Sequence, residues 1–86
     1  MTFEPEHPGM VERRLADLVP GESGVIAGIS GDPAIARRLM ELGLVPGTPV
    51  EVVRLAPLGD PVELRIRQIH LSIRRSEANR IRVTEA

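Results

Sequence analysis

The stretch TPVEVVRLAPLGDPVELRIR, residues 48–67, decides the fold, because two apolar-rich segments flank a short loop of turn-forming residues. Residues 48–55 and 61–67 are rich in Val, Ile and Leu, and the five residues APLGD separate them. In the second segment apolar and charged side chains alternate, which is the period of a half-buried strand. The apolar set is Val62, Leu64 and Ile66. We therefore predict an antiparallel β-hairpin with these side chains against the core.

The hairpin tip, which we define as residues 57–61 (PLGDP), carries Leu58 at a position where polar residues are expected. This leucine either folds back onto the core or is offered to a partner. Two prolines stiffen the tip, and stiffness lowers the entropic cost of holding an apolar side chain ready for a partner. We favour the partner-facing role, and core packing stays open as the alternative. The predicted binding residues of the tip are Pro57, Leu58, Gly59, Asp60 and Pro61.

A short helix is predicted over residues 32–44 (DPAIARRLMELGL), because both of its ends are marked. Asp32 is a good N-cap, Pro33 suits the first helical position, and Gly43 can adopt the left-handed conformation that ends a helix. Leu44 is expected to fold back onto the last turn. The predicted buried stripe is Ile35, Leu39 and Leu42. The predicted outward face, which we add to the candidate binding surface, is Arg37, Arg38 and Glu41.

Two identical turns precede predicted strands. The tetrapeptide LVPG occurs at residues 18–21 and 44–47. A type II turn favours proline as its second residue and glycine as its third. We therefore expect Pro46 and Gly47 to form such a turn and to lead into a strand. A short helical turn is predicted just before the first copy. Its apolar stripe is Val11, Leu15 and Leu18.

The C-terminal third is predicted to add two strands around one turn. Residues 68–75 (QIHLSIRR) form the first of these strands, and residues 81–83 (IRV) form the last. Between them residues 76–80 (SEANR) are expected to form a single helical turn with Ser76 as its cap. The inward side chains of the first strand are Leu71 and Ile73.

These elements predict a mainly β fold, a small antiparallel barrel of about five short strands with one helix between the first and second. A parallel sheet is excluded, because only one connection contains a helix. The 86 residues suffice for a single domain. We predict a disordered tail over residues 1–10 and one domain over residues 11–86.

Composition excludes several classes of function. The net charge of −1 and the single aromatic residue, Phe3, argue against nucleic-acid binding. The absence of cysteine excludes disulfides and suits a reducing compartment. No signal peptide or membrane span is recognisable, so we expect a soluble, cytoplasmic protein.

No catalytic or metal-binding constellation is predicted. The serines lack a convincing base, and no Walker-type phosphate loop occurs, so we expect a protein that is not an enzyme and has no cofactor. His7 and His70 lie far apart in the sequence and lack metal-ligand spacing. The remaining alternative is a weak metal site between two molecules, or one that joins Asp60 to a histidine.

Four segments in this order resemble the FeoA family. They are LADLVPGESGVI at 15–26, RRLMELGLVPGTPVEVV at 37–53, APLGDPVELRI at 56–66 and LSIRRSEANRIRV at 71–83. The resemblance implies an SH3-like barrel and a partnership with FeoB, a membrane permease with a cytoplasmic GTP-binding domain. Residues expected to be structural within this pattern are Asp32, Leu39, Gly43, Pro46, Gly47, Arg74 and Ala78.

The chain departs from the family in one turn. The family usually has glycine before the fourth strand, where this chain has QIH, so Ile69 or His70 is expected to supply the unusual turn conformation. The barrel also resembles the C-terminal domain of iron-dependent repressors of the diphtheria-toxin-repressor type. That alternative requires a helix-turn-helix and a dimerisation region ahead of the barrel, which ten residues cannot supply.

The resemblance implies an adaptor that docks on the permease with the hairpin tip and the outward face of the helix. The arginine doublets at 37–38 and 74–75 are expected to be solvated or paired with Glu41 and Glu77. A role for one of them as an arginine finger on the GTP-binding domain is the alternative. Two other classes stay open, a metal-sensing or DNA-regulatory barrel and an RNA-associated SH3-like module. Formation of a homo-oligomer is also open, and contact with the membrane is expected only through the partner.

Overall fold

A computed structural model describes residues 12–85, which form a six-stranded antiparallel sheet. The order of strands across the sheet is β1-β6-β2-β3-β4-β5. Their bounds are β1 Arg13–Arg14, β2 Ser23–Ile29, β3 Pro49–Leu55, β4 Val62–Ile66, β5 Ile69–Ile73 and β6 Ile81–Glu85. Two helices, α1 (Pro33–Glu41) and α2 (Arg75–Ala78), connect β2 to β3 and β5 to β6. The predicted tail, with Phe3 and His7, and Val11 lie outside the described residues.

The predicted hairpin is confirmed as β3 and β4. Val52 pairs with Leu64, and a bulge between Val52 and Arg54 shifts the register before Leu55 meets Val62. The shift leaves Val53 partly exposed while Val52 and Leu64 are buried. The apolar side chains of the alternating segment, Val62, Leu64 and Ile66, thus face the core as predicted.

One apolar core joins every layer of the fold. Its members come from β2 to β6, from both helices and from the 3-10 turn at Leu15–Asp17. The fully buried large side chains are Leu15, Ile26, Leu39, Leu44, Leu64, Ile81, Val50, Val52, Val62 and Val83. A sheet can surround one such core only if it curves, and this agrees with the predicted barrel.

Helix α1 begins and ends where the sequence indicated. The Asp32 carboxylate accepts a hydrogen bond from the Ala34 N–H at 2.8 Å. Gly43 has a φ of 107°, and the Leu44 N–H donates to the Leu39 carbonyl at 3.2 Å. These two features close the helix and turn Leu44 into the core, as predicted.

The predicted buried stripe of α1 is wrong at Leu42, whose side chain is 46% exposed. Leu42 is the residue at which the helix ends, and the reversal at Gly43 carries Leu44 into the core in its place. Ala36 completes the buried face with Leu39, while Ile35 is half-buried.

Both LVPG turns have the predicted geometry. Gly21 and Gly47 have φ values of 94° and 91°. The first turn is closed by a hydrogen bond from the Glu22 N–H to the Val19 carbonyl, and the second by one from the Thr48 N–H to the Val45 carbonyl. The segment before the first turn contains the predicted short helical turn, with Leu15 and Leu18 buried, and also a sixth strand that was not predicted. It forms strand β1, paired with β6, and a 3-10 turn in which Leu15 and Ala16 are buried.

Glu22 also locks the first LVPG turn through its side chain. Its carboxylate accepts the Val19 N–H at 2.9 Å and lies 3.5 Å from the Arg13 guanidinium. The bond from the Val19 N–H lowers the pKa of Glu22 below its ordinary value of 4.5, and Arg13 acts in the same direction. The carboxylate therefore stabilises the fold above its unfolded-state pKa, and this stability is lost as the pH falls through the lower folded-state pKa.

We expect Glu22→Gln to lower the melting temperature at neutral pH and to make it less dependent on pH in the acid range. Glutamine keeps an acceptor for the Val19 N–H but carries no charge to titrate. Thermal denaturation followed by circular dichroism from about pH 7 to about pH 3 measures the effect. The gap in melting temperature between the wild type and the variant should shrink as the pH falls. A gap that is constant or grows would contradict this role of the carboxylate.

Two details near the C-terminus differ from the sequence analysis. The turn between β4 and β5 takes its left-handed conformation at Arg67, with a φ of 54°, whereas Ile69 and His70 are regular residues of β5. The cap of α2 is the Glu77 carboxylate, which accepts the Arg74 N–H at 2.8 Å, and Ser76 lies inside the helix. The left-handed residue thus lies two or three residues before the predicted Ile69 or His70, and the capping side chain lies one residue after the predicted Ser76.

Within residues 12–85 no helix is long and apolar enough to cross a membrane.

Candidate docking surface

The hairpin tip presents Leu58 to solvent. Leu58 is fully exposed, and its backbone is left-handed with a φ of 69°. The tip is a tight turn in which the Gly59 N–H donates to the Ala56 carbonyl at 2.7 Å. Below it the Ala56 N–H donates to the Pro61 carbonyl at 3.1 Å. The core-packing alternative for Leu58 is therefore wrong.

Helix α2 fixes the hairpin tip from the side. The Asp60 carboxylate accepts the backbone N–H of Arg75 at 3.1 Å. The Arg75 guanidinium also lies against Gly59, because a Cβ built at Gly59 would be 3.2 Å from Arg75 Nη1. The first residue of α2 thus binds the tip at Asp60 and lies beside it at Gly59.

Helix α2 also contacts the predicted binding face of α1. Glu77 is only 7% exposed, and its carboxylate forms an ion pair with the Arg38 guanidinium while it caps α2. Of the doublet at 37–38, Arg38 is the member that pairs with Glu77. Arg37 and Glu41 remain exposed and border a shallow groove. The groove is lined by Pro33, Ala36, Arg37, Met40 and Glu41.

Both predicted parts of the binding surface are therefore connected through four residues of α2. The connection runs from Asp60 to Arg75 at the start of α2 and from Glu77 to Arg38 on α1. The capping of α2 by Glu77 and the contact of Arg75 with the hairpin tip were not predicted from the sequence. A glutamate three residues after the N-cap is one half of a capping box, but the other half requires Ser, Thr, Asp or Asn at the N-cap, where this chain has Arg74. The Asp60 contact spans 15 residues and left no local signal.

Two further residues that were predicted to be structural, Arg74 and Ala78, belong to α2 and its N-cap. Ala78 is fully buried and belongs to the core, while Arg74 is exposed and supplies the N–H that Glu77 caps. His70 is exposed on β5. Among the residues that the structure describes, no group of three or more His, Asp or Glu side chains is placed to hold a metal ion.

The family model for the FeoA domain matches residues 13–85. The chain belongs to the FeoA family. An Fe(2+) transport protein A/Fe(2+) transporter FeoB fusion protein of Porphyromonas gingivalis is 40% identical to it over 70 residues, which are 81% of this chain and 8% of the fusion. The chain therefore corresponds to less than a tenth of that relative.

Solved structures of FeoA proteins share the fold. The FeoA protein of Chlorobium tepidum is 40% identical, with a TM-score of 0.77 over 86% of this chain and 71% of that one. The FeoA of Stenotrophomonas maltophilia, a prokaryotic SH3 domain protein solved with zinc, is 34% identical, with a TM-score of 0.71 over 85% and 89% of the two chains. The predicted FeoA family and SH3-like fold are thus confirmed.

A manganese-dependent transcriptional repressor also matches, with a TM-score of 0.81 over 90% of this chain and 43% of the repressor. Its sequence is only 20% identical, so this likeness concerns the fold alone. It agrees with a resemblance of the barrel to part of a metal-dependent repressor and does not indicate a regulatory function.

Proposed function

We propose that this FeoA-family chain is a non-enzymatic adaptor of bacterial ferrous iron uptake. It binds the cytoplasmic GTP-binding region of a FeoB-type permease and modulates the assembly or activity of that permease. It acts in the cytoplasm, because that is the compartment in which this region of the permease lies, and it reaches the membrane only through the permease.

The observation that carries this proposal is the Porphyromonas gingivalis fusion. Fusion joins a FeoA part and a FeoB part in one chain, and the present chain matches that fusion at 40% identity. Linking two modules in one chain makes their contact intramolecular and raises its effective concentration. Such a linkage is useful when the two parts bind each other as separate chains.

The structure supports a docking role for the predicted surface. The hairpin tip offers an exposed apolar side chain on a fixed backbone, and α2 joins the tip to Arg38 of α1, whose neighbours Arg37 and Glu41 are exposed. We assign the binding surface to residues 57–61 together with this face of α1. Arg38 is engaged with Glu77, so it is a poor candidate for an arginine finger.

The test is equilibrium binding to the full-length FeoB permease of the same organism in lipid nanodiscs. We expect a dissociation constant of about 10 μM or tighter, in the range of transient regulatory contacts. Cross-linking followed by mass spectrometry should place the contact on the GTP-binding region. Empty nanodiscs are the control, and equal binding to them, or no binding to the permease, would contradict the proposal.

Turnover of GTP by the permease distinguishes a change in activity from a change in assembly. Measured at saturating adaptor, an altered rate would show modulation of activity, and variants of Arg37, Arg74 and Arg75 would then test the arginine finger. An unchanged rate would exclude the finger and leave assembly as the modulated property. Size-exclusion chromatography with light scattering of the permease, with and without the adaptor, measures that assembly and also shows whether the adaptor itself forms a homo-oligomer.

A further inference from the structure

We propose that Leu58 and the guanidinium of Arg75 act together as one docking element, and that its partner surface is an apolar pocket bordered by a carboxylate. This inference rests on the proposed function, because it states the chemistry of the permease surface that the hairpin tip contacts. It assigns to Arg75 a direct role in recognition.

The conformation of Leu58 is not explained by folding. A left-handed backbone, here with a φ of 69°, is unfavourable for residues other than glycine, asparagine and aspartate. Burial of the side chain could offset that cost, but the Leu58 side chain is fully exposed. Strain of this kind persists where the surrounding structure enforces it and is concentrated at binding sites.

The surroundings of Leu58 hold it in one position before any partner arrives. Pro57 precedes it, and two residues later the Asp60 carboxylate is bound to the Arg75 N–H. The bond between the Ala56 N–H and the Pro61 carbonyl closes the base of the tip. A partner that binds Leu58 therefore does not have to order the loop, so the entropic cost of binding is smaller than for a flexible loop.

Arg75 adds a cation beside the exposed leucine. Its guanidinium lies against Gly59, the neighbour of Leu58. Among residues 12–85 no carboxylate lies within 4.0 Å of this guanidinium, and Asp60 takes the backbone N–H instead. Four other arginine–glutamate contacts occur in the described chain, at Arg13, Arg38, Arg54 and Arg65. A free guanidinium with a planar array of donors fits a carboxylate on the partner, and the leucine beside it fits an apolar pocket.

The deciding variant is Leu58→Gly, since it separates binding from folding. Glycine accepts the left-handed backbone, so the melting temperature should stay within about 5 °C of the wild type. Affinity for full-length FeoB in nanodiscs should fall by about tenfold or more, which is the effect of removing an apolar anchor. The matched control is Val19→Ser, which changes a 55% exposed apolar residue in another turn and should leave the affinity within about twofold.

The second variant, Arg75→Glu, tests whether the partner surface supplies a carboxylate to Arg75. The backbone N–H that binds Asp60 is retained, while the reversed charge should weaken binding by about tenfold or more and reverse its dependence on salt. The control is Arg67→Glu, an exposed arginine that also has no carboxylate within 4.0 Å in the described chain.

The outcomes separate this inference from the proposed function. If the wild type binds FeoB and both variants bind equally well, the docking element is wrong and the proposed function stands. A large loss of melting temperature in Leu58→Gly would also overturn the docking element, because it would show that Leu58 supports the fold. If the wild type does not bind FeoB, the proposed function fails and this inference fails with it.

Discussion

Replacement of Gly43 by valine is expected to lower the free energy of unfolding by about 3 kcal/mol or more, a large share of the roughly 5 to 15 kcal/mol that stabilises a typical domain. Two costs coincide at this position. The φ of 107° is one that a β-branched residue resists, and a Cβ at Gly43 would lie 2.9 Å from Ile66 Cδ1. Ile66 is buried, so it has little room to move away. Urea denaturation followed by circular dichroism measures the loss.

Gly47→Val is the matched control for this prediction. Gly47 has a φ of 91°, but no atom lies within 4 Å of a Cβ built there. Gly47→Val therefore strains the backbone but causes no steric clash. It should lower the free energy of unfolding clearly less than Gly43→Val does. Equal effects at the two glycines would contradict the predicted clash between the introduced valine side chain and Ile66.

Leu39→Ala is expected to cost about 2 to 5 kcal/mol of unfolding free energy, the usual range for a leucine removed from a well-packed core. Leu39 is the fully buried large residue of α1, and its carbonyl also accepts the Leu44 N–H that ends the helix. A cavity at this point lies between α1 and the sheet, so neighbouring side chains cannot easily close it. The midpoint of urea denaturation at constant m-value is the measurement.

Leu42→Ala is the same substitution three residues later and serves as its control. Since Leu42 is 46% exposed, the change should cost less than about 1 kcal/mol. If Leu42→Ala were as damaging as Leu39→Ala, the buried stripe inferred from periodicity would be right and the described packing would be wrong.

The fold was predictable wherever the sequence carried a local signal. Asp32, Pro33 and Gly43 mark the ends of α1, and each acts through bonds within a few residues. The hairpin follows from the alternation in β4 and from the five-residue loop before it. In these segments local propensity and the final fold agree, and sequence patterns are then informative.

Sequence patterns failed where tertiary contacts decide the structure. Strand β1 is two residues long and forms only because β6 lies beside it. The left-handed backbone at Arg67 belongs to a residue type without a preference for it, so no residue marked the turn. Leu42 obeys the helical period but lies where the helix already ends.

The candidate binding surface was predicted in part. Leu58 and its prolines could be identified as an unusual loop composition, and the structure shows the side chain exposed. The role of α2 could not be identified, because Asp60 meets Arg75 and Arg38 meets Glu77 only after the chain has folded. Contacts across 15 and 39 residues leave no periodic trace in a single sequence.

Photo-cross-linking from position 58 tests the central claim most directly. With Leu58→photo-leucine in the adaptor and full-length FeoB in nanodiscs, light-induced adducts are read by mass spectrometry. We predict adducts within the cytoplasmic GTP-binding region of the permease, at an apolar pocket with an acidic residue at its edge. Adducts confined to a second copy of the adaptor, or to other parts of the permease, would contradict the account.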